Sequence, residues 1–574
     1  MSSAARYHRL RAKDWNEEEV EEAEDVLEGD NVSIDLHSPA AHTMLSHQKQ
    51  KSCIYVTASM VLLGIGLYFG FSTLWVASLD TPGAGGAMAH HTDGHPQHTG
   101  DHHHEHGIYH HAAAITDSEI CSRFAKEILI EGGNAVDAGV VAMLCLGVVH
   151  PHSTGIGGVV TAVFHNRTSG KTKALNALPK VPLNLTLGTP LLLQGLWAMH
   201  QEYGRLAWAR LLGRPAKLAR EGFVVDQILA GAAREAADHG ADLCPLLCER
   251  GRGTKGVGAH TSNEKLAEVL ELAREMEGTA FPEPLAQRLS RDLRWDPQAL
   301  NTALERQRVA LIEPLVTDLQ GFSLAVPPPP ASGDLLIQLM TRISQLGLSW
   351  TNVSTATYTS NMYRNILSIA QQMYLGLMWL DPRTPQNPGE GKGWRRMAPG
   401  GSHVAVIDST GNILAMVSSL NSTFGAQTLS PSSGLFLSDF TGSSDSSALY
   451  WACPGVLRSA AGDDVLAVVT SGGSAAPFVS AQVIANLVYF ERSAKEAVAD
   501  PRLYLSEGEE GVLHQQVSGL LKDSEIFTRL SQEVPGLELI SRTASSVTST
   551  VVESFLGHKR AFGQPQTCTF GDGY

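Results

Sequence analysis

The chain has 574 residues, 43% of them hydrophobic and 18% charged, with a formal net charge of −15. That length suits a tail plus one large domain or a tightly joined pair. The acidic balance excludes an electrostatic nucleic-acid partner, and the apolar content excludes a wholly disordered chain.

Residues 1–48 read as a disordered cytoplasmic arm, because 14–28 holds nine acids and no Lys or Arg, a composition that stays solvated. Residues 54–77 then run 24 positions without a charged side chain, enough for a helix to cross a bilayer. The run starts too far in, is too long and lacks a small-x-small site for a cleaved signal peptide. Lys49 and Lys51 precede it and Asp80 follows. Positive charge stays inside, so a single-pass type II signal-anchor is expected, with everything after it extracellular or lumenal. Residues 78–112 form a Gly-, Pro- and His-rich stalk. Ten histidines lie between His90 and His111. They suit weak zinc or copper binding, but no carboxylate or cysteine framework fixes a geometry, so the linker reading is preferred and no metal or cofactor is assigned.

From residue 113 the pattern turns globular. A helix is predicted over 118–130, capped by Asp117 or Ser118 and closed by Gly132-Gly133. Residues 134–149 are apolar nearly all round and predict a buried helix. The Gly-rich turn Pro151-His-Ser-Thr-Gly155-Ile-Gly157-Gly158 follows, then a strand over 159–165 and its hairpin partner over 173–177. Helices are predicted over 264–277, 335–348 and 358–375. The apolar runs 403–407 and 413–420, joined by the turn 408–412, predict a β-hairpin. A strand over 465–469 leads through Gly472-Gly473 to a helix over 478–490. A glycine pair at a helix N-terminus makes a cradle for an oxyanion or carboxylate.

Several strings then share one resemblance: Cys121, Glu131 to Ala138, Leu144-Cys145-Leu-Gly, His152 to Gly158, Tyr203 to Trp208, Ala219 to Phe223, Pro327 to Pro330, Ala497 to Arg502, and the stretch 397–439. Together, in their order along the chain, they are similar to the ectodomain of the γ-glutamyltransferase (glutathione hydrolase) family, from about Ile115 to the C-terminus. The resemblance implies an α/β (α+β) fold, the αββα sandwich of the N-terminal nucleophile hydrolases, here preceded by the transmembrane helix. It implies a large-subunit-like part over 113–400 and a small-subunit-like part over 401–574, which would form a heterodimer after self-cleavage. It implies a small γ-glutamyl substrate such as glutathione, whose acyl group passes to water or to an acceptor amine. It also implies disulfides Cys121–Cys145 and Cys244–Cys248. An outer face makes Asn166, Asn184 and Asn352 glycan acceptors.

Carried over by position, Gly472 and Gly473 match the oxyanion glycines, and Ser419, Asn421 and Asp439 match substrate-binding positions. Three departures stand against these matches. Leu178 occupies the place of the Arg that holds the substrate carboxylate. Tyr450 and Trp451 replace two serines that assist it. Gly401 occupies the nucleophile position, leaving Ser402, one residue later, as the candidate hydroxyl. Two functions therefore remain open: a γ-glutamyl hydrolase or transferase using Ser402, and a catalytically silent homologue with a binding or partner role. A one-residue shift along a strand turns a side chain to the opposite face, so Ser402 needs a bulge at Gly400-Gly401 to reach the site.

Overall fold

The computed structural model describes most of residues 106–574. It leaves out 1–105, 180–186, 250–252, 276–281, 349–354, 381–400, 441–449, 508–512, 543–546 and a few single positions. The expected membrane segment at 54–77 and the arm before it lie outside the described residues. Among the described residues no helix is long and apolar enough to cross a membrane.

The principal strands include β1 (Ile108–Tyr109), β2 (Ala113–Thr116), β3 (Val159–Asn166), β4 (Lys171–Ala177), β5 (Leu311–Ile312), β6 (Leu315–Leu319) and β7 (Phe322–Val326). They continue as β8 (Ser402–Ile407), β9 (Ile413–Ser419), β10 (Gly455–Ser459), β11 (Val465–Ser471), β12 (Arg502–Glu507), β13 (Thr548–Phe555), β14 (His558–Gly563) and β15 (Phe570–Gly573). One seven-stranded sheet has the order β15-β2-β8-β9-β3-β4-β5, the other β1-β14-β13-β11-β10-β7-β6. The first folded strand, β1, begins inside the region expected to be stalk, pairing Ile108 with Arg560 of β14.

The apolar runs at 403–407 and 413–420 showed no alternation because both faces of their sheet are covered. Val404, Val406, Leu414 and Met416 pack against the first helical layer, which includes α1 (Glu119–Ile130), α2 (Ala135–Val149), α3 (Leu192–Tyr203), α4 (Trp208–Glu221), α5 (Gln227–Asp238) and α6 (Glu264–Arg274). Ala405, Ile407, Ala415 and Val417 turn inward, meeting Val456, Ala467 and Val469 of the other sheet. The second sheet's outer face carries α7 (Gly333–Ser344), α8 (Ala356–Leu380), α9 (Ala476–Val488) and α10 (Ala494–Ala499). The result is helix, sheet, sheet, helix.

Local chemistry starts α2. Asn134 accepts from the backbone N–H groups of Val136 and Asp137, and the Asp137 carboxylate accepts from the Asn134 N–H, a capping box. The predicted cap of α1 differs. Ser118 occupies the cap position without a side-chain cap bond, and the Asp117 carboxylate is committed elsewhere.

Cys121 and Cys145 are bonded with Cα atoms 5.4 Å apart, joining α1 to α2, and Cys244 is bonded to Cys248. Replacing Cys121 and Cys145 by serine is expected to lower unfolding stability by about 2–4 kcal/mol, mainly by freeing the unfolded chain. Urea unfolding of the double variant checks this, and an unchanged midpoint and slope would refute it.

Candidate active site

Five strand ends meet at one end of the sandwich: the ends of β2, β9 and β11 and the starts of β8 and β13. Ser402 pairs with Ser418 across the first sheet, and Ser471 with Thr548 across the second. The register of β8 on β9 runs unbroken from Ser402 to Ile407, so side-chain direction alternates from the first residue.

That alternation separates the two candidate positions. Gly401 has φ +136°, and a Cβ built there lies 3.2 Å from the Ser418 carbonyl oxygen and 3.9 Å from the Ser471 Cβ. A side chain at 401 therefore faces the gap between the sheets, beside Gly472. Ser402 faces the other way. Its hydroxyl is buried and shares a 2.7 Å hydrogen bond with the Ser153 hydroxyl in the Gly-rich turn. Thr154 holds Ser418 in the same manner. The turn is fixed to the hairpin's tail because its His152 and Ser153 carbonyls accept from Phe424 and Leu420 N–H.

His403 returns to the inter-sheet face and meets Asp117. The Asp117 carboxylate accepts from His403 N–H at 2.8 Å and from Thr548 Oγ1 at 3.2 Å, and lies 3.0 Å from His403 Nδ1. Burial alone would push the Asp117 carboxyl up. The His403 ring and backbone N–H, with His150 at longer range, outweigh burial and hold it below the usual carboxylate range. Ser471 Oγ sits 2.9 Å from the same His403 Nδ1 and 3.0 Å from Thr548 Oγ1. This is not a serine–histidine–aspartate relay, which needs the acid and the serine on opposite ring nitrogens. Here both lie on Nδ1, and Nε2 is buried without a hydrogen-bond partner among the described residues. The cluster instead ties β2, β8, β11 and β13 together at the site.

Gly472 (φ +126°) and Gly473 (φ +68°) follow Ser471 and lead through a short 3-10 turn into α9. A Cβ on Gly472 would lie 2.6 Å from the Val547 Cα, so close backbone approach requires glycine here. Tyr374 of α8 donates to the Ser474 carbonyl behind the pair and stacks on Trp451 at 6.0 Å. The Ser419 hydroxyl accepts from Asn421 N–H at 2.8 Å, where Asn421 has φ +77°. Asp439 accepts from the Ser422 backbone and hydroxyl at 3.2 and 2.7 Å.

Leu178 and Tyr450 are brought together with Val159, Ala331 and Phe440 in a small apolar cluster. Tyr450 packs on Phe440 at 4.4 Å and donates to the Pro179 carbonyl. Trp451 does not join them; it packs into the core of the second helical layer. Asn166 lies at the end of β3, with its side-chain oxygen accepting from Ser169 N–H, whereas Asn184 and Asn352 fall outside the described residues. Sequence reasoning read Asp117 as a cap and His403 as the start of a strand, and it missed Ser153, Ser471 and Thr548. The available signal was a polar residue at each otherwise apolar strand end.

Comparison with known proteins gives the family and the likeness of fold. The family described as gamma-glutamyltranspeptidase matches residues 121–388 and 380–552. Glutathione hydrolase 6 of Bos taurus is 35% identical over 497 residues, 82% of this chain and 86% of its own length. The Homo sapiens protein of that name is 33% identical, covering 79% of this chain and 82% of its own length. A cephalosporin acylase structure from Bacillus halodurans superposes with a TM-score of 0.65 at 18% identity, covering 84% of this chain and 99% of that chain, which is a likeness of fold. The chain belongs to the gamma-glutamyltranspeptidase family.

Proposed function

We propose that this protein is a membrane-anchored glutathione hydrolase or γ-glutamyltransferase, cleaving γ-glutamyl amides with Ser402 as the hydroxyl. Family membership supports it, as does the name of the relatives, glutathione hydrolase. The observation that carries the reading is the placement of Gly472-Gly473 just before α9, beside the gap that position 401 faces; Ser402, on the opposite face in the uncut chain, has to turn into that gap once cleavage makes it a chain end. The Gly472 and Gly473 N–H groups would take the oxyanion, and Asp439, with Ser419 and Asn421 beside it, the substrate ammonium. In this proposal residues 1–48 are cytoplasmic, 54–77 anchor the chain, 78–112 form a stalk, and 113–400 and 401–574 are the large and small parts of an extracellular or lumenal domain. Asn166, Asn184 and Asn352 would carry glycans, and no metal or cofactor takes part.

A second reading, a catalytically silent homologue with a binding or partner role, is favoured by one observation. The Ser402 hydroxyl is engaged by Ser153 on the face opposite the gap. Incubating purified protein with glutathione or a γ-glutamyl anilide separates the two. Glutamate or aniline release supports the enzyme; none from the full-length wild type leaves the silent reading.

The apolar Leu178–Tyr450–Phe440 cluster predicts weak glutathione binding, because a buried carboxylate without a cation is unfavourable. Leu178→Arg is expected to tighten γ-glutamyl binding by up to about fivefold, the worth of one solvent-screened ion pair. Titration calorimetry with glutathione checks this. An unchanged affinity would show that the pocket has been rebuilt.

A further inference from the structure

The Gly472-Gly473 turn has no side chains to hold it. Both residues are at positive φ, +126° and +68°, and both are half-buried. Among the described residues neither N–H donates to a backbone carbonyl. Glycine backbone also reaches conformations that other residues avoid. The orientation of this turn is therefore set by what grips it from outside.

On one side the grip is the close approach of Val547 to Gly472. On the other side α9 supplies none of its own. Ala475 occupies its cap position without a side-chain cap bond, and Pro477 has no N–H to offer. The grip there comes from Tyr374 of α8. Its buried hydroxyl donates to the carbonyl of Ser474, the residue after the glycine pair. The Phe478 N–H, in the first turn of α9, acts on the same tyrosine oxygen and opposes the rise in pKa that burial imposes. The hydroxyl thus serves an acceptor and a donor where the turn becomes a helix, the task of a cap performed from another element. The Tyr374 ring is steadied in turn by Trp451, with centroids 6.0 Å apart and planes 5° from parallel.

We infer that Tyr374 is a positioning residue for the oxyanion turn: it fixes the Ser474 carbonyl and so keeps the Gly472 and Gly473 N–H groups in one orientation beside the gap. The inference rests on the proposed use of those two N–H groups as oxyanion donors. Tyr374 lies in the large part and Ser474 in the small part. In a processed protein their hydrogen bond would join two chains, and the small part by itself would lack an aligned oxyanion turn.

Tyr374→Phe removes only the hydroxyl and keeps the ring on Trp451. With a γ-glutamyl anilide it is expected to lower kcat by about tenfold, less than the loss of about a hundredfold or more for deleting an oxyanion donor. KM is expected to change by less than about twofold, since a misaimed donor acts in the transition state. An active wild type with unchanged kcat in the variant overturns the inference and leaves the proposed function standing. An inert wild type removes the proposed function, and hydrogen exchange then decides whether Tyr374 holds the turn. Peptides spanning 472–478 are expected to exchange several-fold faster in Tyr374→Phe, with those of β8 and β9 unchanged; equal exchange overturns the inference. If Tyr374→Phe does not fold, Trp451→Leu, which keeps the hydroxyl and removes the ring beside it, takes its place in both measurements, with the same expected and overturning results.

Discussion

Replacing Asp117 by alanine is expected to destabilise the protein by about 3–5 kcal/mol, the scale for breaking a buried charge cluster by removing one partner. The carboxylate accepts from the His403 backbone and from Thr548, and it faces the His403 ring. Its loss leaves the buried His403 N–H without its acceptor and reduces the Thr548 hydroxyl and the His403 ring to their contacts with Ser471, at the junction of four strands. The gentler Asp117→Asn keeps an acceptor oxygen but cannot ionise, so it separates charge from shape through the pH dependence. The folded carboxyl lies below its ordinary value, while an unfolded Asp titrates near about 3.9. The unfolded state then binds the proton first on acidification. Asp117's contribution is complete above about pH 5 and is lost as pH falls through about 4 toward the lower folded value. Urea unfolding at a series of pH values should show wild type losing stability over that window and Asp117→Asn losing less. Identical acid limbs would mean that the carboxylate is not the hub of this cluster.

Ser402→Ala is expected to abolish both self-cleavage and turnover of γ-glutamyl amides, a loss of about three orders of magnitude or more for removal of an essential nucleophile. Cleavage requires the Ser402 hydroxyl to attack the Gly401 carbonyl carbon. The Gly401–Ser402 peptide bond breaks as the acyl group moves from nitrogen to oxygen, and water then opens the ester. Products are a chain ending at Gly401 and a chain with a free Ser402 amine. Gly401 itself carries no hydroxyl, so the bond before it stays intact. In the uncut chain the Ser402 hydroxyl is committed to Ser153. Ser153→Ala should therefore release it and speed cleavage, a result that a silent protein cannot produce. N-terminal sequencing decides the matter. A small chain starting at Ser402 in wild type and missing in Ser402→Ala supports the enzyme. A single uncut chain, equally inert with and without Ser402, leaves the binding role.

Residues 1–105 rest on sequence alone, since the arm, the apolar run and most of the stalk lie outside the described residues. Within the folded part, the sequence by itself determined what depends on neighbours along the chain. The hairpin of β8 and β9 is written in two apolar runs and in Asp408, whose carboxylate gathers Thr410 and Asn412 N–H around Gly411 at φ +83°. The start of α2 is written in Asn134 and Asp137, three residues apart. The strand-to-helix path through Gly472-Gly473 was legible for the same reason, because glycine at positive φ is a local requirement. The strand ends were not legible as a site. Asp117 meets His403 across 286 residues and Thr548 across 431, and no local pattern carries such a pairing. For Ser402 the sequence stated only a condition, the face opposite the site unless a bulge at Gly400-Gly401 turned it back. Side-chain direction on a strand depends on register, and that register is set only when β8 pairs with β9 and the Gly-rich turn closes over them. The same holds for the burial of Arg502, complete only when α10 and β13 enclose it. Burial is a property of the assembled layers, because desolvation is imposed by residues far away in the chain.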